Sequence, residues 1–379
     1  MDRQKFSAIT RDALKQLNME RIFMVLRDSA GISRLDLSRE LGLSLPTIAK
    51  NLNCLEEKGL ILSAGTDNHT GGRSSRLYSI SENGRYAFGI SITQREISGV
   101  AYNLRNTVIA RVHYKNAFSR SDETYRLAGQ VVSELEKQCG CRKEQVLGVA
   151  IVIPGLITPD RATAYYSKVL NIFEPIECSE FARYISYPTV LLHDTGSAAY
   201  AEAVFNEEIP SFFYLMVSDS IGGASVINGA VQHGSNCRCG EIGHVHLVKN
   251  GRQCYCGLKG CVDPYCSTRV LSQYTGGKLD QFFEVLEAGD QKASDIWNEY
   301  LDYLALAIHD IRMLFDGEIV LGGYLGLYIE PYMEDLKKRV IHMDPFIDEA
   351  DYLKVCKCRL DAAASGGALQ YIQNVFQFI

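Results

Sequence analysis

No stretch of this 379-residue chain holds eighteen consecutive apolar residues, which excludes a membrane-spanning helix of ordinary length. Its first residues, MDRQKFSAITRDALKQ, lack the apolar core of a signal peptide. Low-complexity linkers and short-period repeats are also missing, which argues against disordered tethers and solenoids. These absences lead to the expectation of a cytoplasmic protein with no membrane partner. The chain is too long for one small core, so two or three domains are expected. With 46% hydrophobic and 22% charged residues, its composition is ordinary for a globular protein.

Cysteine is not scarce: there are twelve. In a reducing compartment they do not suggest a disulfide framework, and most are expected to be small buried hydrophobes. The exception is a cluster between Cys237 and Cys266. Charge is uneven. Residues 1–76 hold twelve Lys or Arg against nine Asp or Glu, and the remainder 27 against 36. A mildly basic head on an acidic body suits a head that meets phosphate.

Residues 1–80 read as that head. Leu17, Ile22, Phe23 and Leu26 recur near helical spacing, and this helix is expected to end at Gly31. Ser33 starts a second helix, with Asp36 three residues on as a shortened capping box, and Gly42 breaks it. Ser44 caps a third, with Pro46 in its first turn. Ile48, Leu52 and Leu55 face inward there, so Thr47, Lys50 and Asn51 are expected to face outward, and Gly59 closes the helix. Two short helices joined by a tight glycine turn form a helix-turn-helix, whose second helix enters the major groove of double-stranded DNA. Leu60–Leu62 and Arg76–Ile80 read as strands around a polar wing containing Asn68, Gly71, Gly72 and Arg73. Ser44, Thr47, Lys50, Asn51 and Arg73 are the candidate DNA contacts. A head used only for protein contacts is the alternative.

The body reads as α/β. Phe88–Tyr102 and Val108–Val112 form a hairpin or meander, and a helix follows at about 122–138. Val146–Ile153 is a buried strand stopped by Pro154-Gly155. Thr189–Leu192 leads into His193-Asp194 and a helix from about Ser197, and Phe212–Val217 is another strand. Cys254-x-Cys256 and Cys261 place three thiols within eight positions, and soft thiolates joined by an imidazole suit tetrahedral Zn²⁺.

Several of these residues carry a resemblance. Ser33 to Ser44, Gly71-Gly72-Arg73-Ser74, Ile153-Pro154-Gly155, Asp194, Gly240-Glu241-Ile242-Gly243-His244, Cys254-Tyr255-Cys256-Gly257, Gly260-Cys261 and Leu321-Gly322-Gly323 stand in this order along nearly the whole chain. The chain resembles the ROK family (repressors, open reading frames, kinases), in its repressor branch of xylose and N-acetylglucosamine type. The resemblance implies a winged helix-turn-helix followed by a two-lobed actin-like ATPase fold. The implied division is 1–80 for the head, 81–195 for the N-terminal lobe and 196–361 for the C-terminal lobe, with a last helix at about 362–379 packing back on the first lobe.

It further implies a structural zinc ion held by His244, Cys254, Cys256 and Cys261. Gly155, Asn171, His193, Asp194, Glu241, His244 and Asp263 become the candidate sugar-binding residues. Two depart from the family pattern, which has Asn at His193 and Glu at Asp263. Kinase members carry an Asp-x-Gly-Gly-Thr phosphate loop where this chain has Ser91-Ile92-Thr93-Gln94-Arg95, and Ser218-Asp219-Ser220 replaces a second glycine-rich loop. The implied function is a homodimeric or larger repressor, released from its operator by a sugar or sugar phosphate, with no kinase activity. The alternatives are an ATP-dependent sugar kinase with a DNA-binding head and a constitutive DNA binder. Cys237, Cys239, Cys266 and His246 stand close by as competing ligands, a second site or groups with no role, and no role is the expectation.

Overall fold

Capping signals in the sequence delimit the head. The computed structural model describes residues 11–67, 75–346, 349–359 and 361–378. Helix α1 (Arg11–Asp28) stops three residues before Gly31, and its Leu17 is 45% exposed while Ile22, Phe23 and Leu26 are buried. Strand β1 (Ile32–Ser33) leads into α2 (Arg34–Leu41). Ser33 caps α2 by accepting from the Asp36 N–H, and Gly42 ends it in the left-handed region. Ser44 caps α3 (Leu45–Glu57) through the Thr47 N–H. Strands β2 (Ile61–Asp67) and β3 (Ser75–Ile80) pair antiparallel, with β1 on the far edge of β3. The wing tip, with Asn68, Gly71, Gly72 and Arg73, lies outside the described residues.

The first lobe is a five-stranded sheet. Strands β4 (Tyr86–Ile92), β5 (Glu96–Asn103) and β6 (Val108–Lys115) form an antiparallel meander. Helix α4 (Asp122–Cys139) crosses to β7 (Val146–Ile153), which runs parallel to β4. Three short strands, β8 (Leu156–Ile157), β9 (Thr163–Tyr166) and β10 (Ile176–Glu177), make a small satellite sheet. Helix α5 (Cys178–Ala182) then leads to β11 (Thr189–His193), parallel to β7.

The second lobe repeats that plan. After α6 (Asp194–Phe205), strands β12 (Phe212–Val217), β13 (Ile221–Ile227) and β14 (Ala230–Val231) form another antiparallel meander. Short helices α7 (Asp263–Cys266) and α8 (Arg269–Ser272), then α9 (Leu279–Glu287) and the long α10 (Gln291–Leu314), precede β15 (Glu318–Gly322). Helix α11 (Met333–Met343) leads to β16 (Leu353–Val355); β15 pairs parallel with β12, and β16 pairs parallel with β15. The sheet orders β11-β7-β4-β5-β6 and β14-β13-β12-β15-β16 are therefore the same topology used twice. That repetition is invisible in the sequence because it is carried by connectivity, not by similar residues. No described helix is long and apolar enough to cross a membrane.

The last helix, α12 (Ala362–Gln373), lies on the first sheet and packs against α6, which rests on the second sheet. Glycine sets how close these helices come. A Cβ on Gly366 would stand 1.7 Å from the Ser197 carbonyl oxygen of α6, and one on Gly89 would stand 1.8 Å from the Ala364 carbonyl oxygen of α12. The two lobes thus meet backbone to backbone through α12.

The head is fused to this arrangement. Met19, Ile22, Phe23, Leu26 and Leu52 share one continuous core with Ala87, Val100, Tyr102, Leu369 and Ile372 of the body. Phe23 meets Phe376 edge-on at 5.3 Å, and Arg27 Nη1 donates to Gln373 Oε1 at 2.6 Å. Arg105 donates to the Arg27 and Ser29 carbonyls, closing the C-terminal end of α1 with a cation. Substituting Gly366→Ala forces a methyl group into the α6–α12 backbone contact. The expected cost is about 1–3 kcal/mol of stability, as for other overpacked cores, read from the chemical-denaturation midpoint. An unchanged midpoint would mean that the helices do not meet as described.

Candidate functional site

The mouth between the lobes holds a cavity of about 230 Å³, lined by Gly155, Ser167, Lys168, His193, Asp194, Arg238, Glu241, His244 and Tyr255 among others. Five of the seven candidate sugar residues therefore converge. Gly155 has to be glycine, since a Cβ there would come within 2.9 Å of Ser167 and the Tyr166 carbonyl oxygen. Asp194 is the first residue of α6 and His193 is its cap, with Nδ1 accepting from the Gly196 N–H at 3.4 Å. The helix thus begins three residues earlier than the sequence suggested, because an imidazole does the work usually left to Ser or Asp. Asp194 Oδ1 accepts from the Thr195 N–H at 2.7 Å, which leaves Oδ2 for a ligand.

Glycines place the other two groups. Gly240 adopts φ +88°, and a Cβ there would lie 2.0 Å from the Gly223 carbonyl oxygen. A Cβ on Gly243 would lie 2.5 Å from the Ile221 carbonyl oxygen. The turn carrying Glu241 and His244 is thus pressed flat on β13. His193 Nε2 then faces Glu241 Oε1 at 3.8 Å. A cavity ringed by carboxylates, imidazoles, the half-buried Lys168 and the exposed Arg238 can pair with vicinal hydroxyls and tolerate an anionic substituent.

His244 belongs to two sites. Its Nδ1 lies 3.8 Å from Cys254 Sγ, and its Nε2 lies 3.4 Å from the Tyr255 hydroxyl. Cys256 and Cys261 bring their sulfurs within 3.8 Å of each other, and the four ligand atoms all lie within 4.8 Å. Two thiolates about 2.3 Å from a common tetrahedral centre stand about 3.8 Å apart, so the donor set fits a soft divalent ion. Burial, then the neighbouring thiols, pushes Cys254 up to about 12. Three thiolates are tolerable at this spacing only around a cation. Cys237 and Cys239 lie outside this cluster, and Cys266 is a buried thiol of the second core.

Two expectations are corrected. Asp263 is 1% exposed and does not line the cavity. Its shorter side chain accepts from the Ile221 N–H at 2.9 Å and from Arg269 Nη2 at 2.8 Å. Asn171 is exposed in a left-handed turn at φ +55°, and its neighbours Ser167, Lys168 and Val169 reach the cavity instead. Arg238 and Tyr255 escaped the sequence reading because each is flanked by cysteines that drew the attention. The position of an arginine between two thiols would have been the only hint.

The segment matching a kinase phosphate loop is the β4–β5 turn. Thr93 Oγ1 accepts from the Arg95 and Glu96 N–H groups at 3.3 and 3.2 Å, so those donors are already used. Arg95 reaches across to Asp219 at 3.4 Å, and the Tyr324 hydroxyl donates to Glu96 at 3.2 Å. The surviving glycines have packing roles, because a Cβ on Gly222 would meet Thr195 Oγ1 at 2.2 Å and one on Gly223 would meet the Phe213 ring at 2.5 Å.

In the head, Ser44 and Lys50 are exposed and Thr47 is half-buried. Asn51 corrects the outward reading: it is 4% exposed, and its Nδ2 donates to the Thr47 carbonyl. It extends the inward stripe of Ile48, Leu52 and Leu55, which spans more of the helix than those three residues suggested. Arg73 lies outside the described residues. Two further cations flank the start of α3. Arg34 and Arg76 stand over the Tyr78 ring at 5.3 and 4.9 Å, beside Leu45 and Pro46.

Substituting Asp263→Ala would leave a buried N–H and the Arg269 guanidinium unpaired. About 1–3 kcal/mol of stability should be lost, with ligand affinity in the cavity unchanged. Thermal unfolding and calorimetric titration of the same variant separate the two, and a variant of native stability with weakened ligand binding would restore Asp263 as a ligand.

The sequence profile of the ROK family matches residues 87–369, and that of winged helix-turn-helix DNA-binding domains matches residues 20–61. The xylose repressor of Bacillus subtilis is 25% identical over 346 residues, covering 88% of this chain and 85% of the relative. The N-acetylmannosamine kinase of Yersinia pestis is 30% identical over 210 residues, covering 53% and 72%. A solved ROK-family transcriptional regulator, a homologue of the E. coli MLC protein, superposes with a TM-score of 0.75 at 19% identity over 95% of this chain and 96% of that one. From the convergence of these residues and a profile match over most of its length, the chain belongs to the ROK family.

Proposed function

We propose that this chain is a transcriptional repressor whose grip on an operator is weakened by a sugar or sugar phosphate. The observation that carries the reading is the joint between cavity and head. Asp194 opens α6, α6 packs backbone to backbone on α12, and the residues just beyond α12 hold α1. A ligand between Gly155 and Ser167 of one lobe and Glu241 and His244 of the other favours one lobe angle. Any change of that angle passes through α12 to the head. Affinity for the ligand must differ between the two angles for this to act as a switch.

In the head, Lys50, Thr47 and Ser44 would face the major groove, with Arg34 and Arg76 close enough to meet phosphates. Two copies would present two such helices to half-sites about one helical turn apart. Phosphoryl transfer is not expected, because the N–H donors of the β4–β5 turn are occupied by Thr93 and a carboxylate, Asp219, stands across from it. Asp194 is kept as a sugar ligand.

Zinc is the ion we assign to His244, Cys254, Cys256 and Cys261. With four protein ligands the ion would supply structural cross-linking rather than hydrolysis. His244 would hold the ion through the nitrogen nearer Cys254, with Nε2 beside the Tyr255 hydroxyl, and the turn bearing Glu241 would be fixed with it.

Operator fragments selected from random DNA, titrated by fluorescence anisotropy with protein carrying one zinc per chain, test this reading. At least one sugar or sugar phosphate should weaken operator affinity tenfold or more, with no sugar-dependent ADP release from ATP. An affinity unmoved by every ligand that binds the cavity would leave a constitutive DNA binder, and ligand-dependent ADP release would make the protein a kinase.

A further inference from the structure

Behind the sugar cavity lies a second chamber of about 330 Å³. The two share His193 and Glu241 as a common wall. The second chamber has an apolar floor of Leu191, Ala224 and Val231, and hydrogen-bonding groups at Arg161 and Gln232. It is not smaller than the first, so it offers room for a ring rather than a methyl group.

The wall between them is closed by contact and not by a hydrogen bond. His193 is pinned by its capping bond to Gly196. Acceptance at Nδ1 puts the ring proton on Nε2, the nitrogen that faces Glu241. That 3.8 Å separation exceeds a hydrogen bond, and the Glu241 side chain is 41% exposed and free to turn. Once the Glu241 side chain turns aside, an ether oxygen crossing the wall would meet a donor on His193.

We infer that the ligand is a glycoside of two ring-sized parts: a sugar in the first chamber, and a second sugar or an aryl aglycone in the chamber behind His193 and Glu241. The inference rests on the reading of the first cavity as a sugar site. The second ring lays an apolar face on Leu191, Ala224 and Val231 and turns its edge to Arg161 and Gln232, which is how a mostly apolar pocket with a few polar groups selects a ligand. The His193 ring, standing where the family pattern has Asn, sets the boundary between the parts.

Calorimetric titration of the full-length zinc-loaded protein tests this with glucose, galactose and xylose, their disaccharides cellobiose, lactose and xylobiose, and the phenyl β-glycoside of each sugar. At least one glycoside should bind tenfold or more tighter than its parent sugar, and the disaccharide and phenyl arms tell which second ring is preferred. Val231→Phe fills only the second chamber, so it should abolish that advantage and leave the parent sugar's affinity unchanged. A second readout uses the native protein: alkylation of Cys237 and Cys239, which line the same chamber, should slow with the glycoside and not with the parent sugar, as followed by peptide mass spectrometry. Parent sugars that bind as tightly as every glycoside, or glycosides that leave both thiols equally reactive, overturn the inference while the sugar reading stands. Absence of binding by all nine compounds overturns the glycoside inference and leaves the reading of the first cavity to be decided by sugar phosphates.

Discussion

The two lobes that enclose the cleft meet at one close contact, where α12 crosses α6 with Gly366 against the Ser197 carbonyl and meets the first sheet at Gly89. Helices that touch through side chains can slide by repacking. Helices that touch through backbone cannot, because no rotamer change relieves the overlap. The crossing therefore behaves as a fixed pivot between two lobes of identical topology. Asp194, on the cavity wall, lies at one end of α6, and beyond the far end of α12 lie the residues that grip α1.

Around that pivot the chain places its polar chemistry economically. His244 turns one ring nitrogen to the thiol cluster and the other to the cavity, so anything that fixes the cluster also orients a ligand group. His193 caps α6 with one nitrogen and faces Glu241 with the other. Both imidazoles join a structural contact to a place on the cavity wall, which leaves little room for substitution at either position. The β4–β5 turn shows the converse. Its backbone donors have been turned inward onto Thr93, and Arg95 has become an inter-lobe tie to Asp219.

Much of this was legible in the sequence. Caps at Ser33 and Ser44, the glycine stops and the apolar runs of β7 and β12 are local signals, and they placed their elements within a few residues. The thiol cluster was legible from spacing alone, since three cysteines in eight positions can only fold around a small centre or be scattered by extended chain. What was not legible depends on partners distant in sequence. Asp263 looked like a ligand until the Ile221 N–H and Arg269 claimed it. Asn51 sits one position from Leu52, and only the packing of the head decides that it turns inward. The second chamber joins residues from the β8–β9 region, β11 and the β13–β14 hairpin, and no window of sequence contains it.

The central claim is that cleft and head are coupled through the end of α12. The direct measurement is a thermodynamic cycle: ligand affinity with and without saturating operator, and operator affinity with and without saturating ligand, in the native protein and in Phe376→Ala. Linkage requires the two factors to be equal within each protein. The account predicts a factor of ten or more in the native protein. In the variant it should collapse toward one while each separate affinity is retained, because the Phe23–Phe376 contact joins the head to the pivot. A variant whose coupling factor matches the native value would show that the signal does not travel through α12.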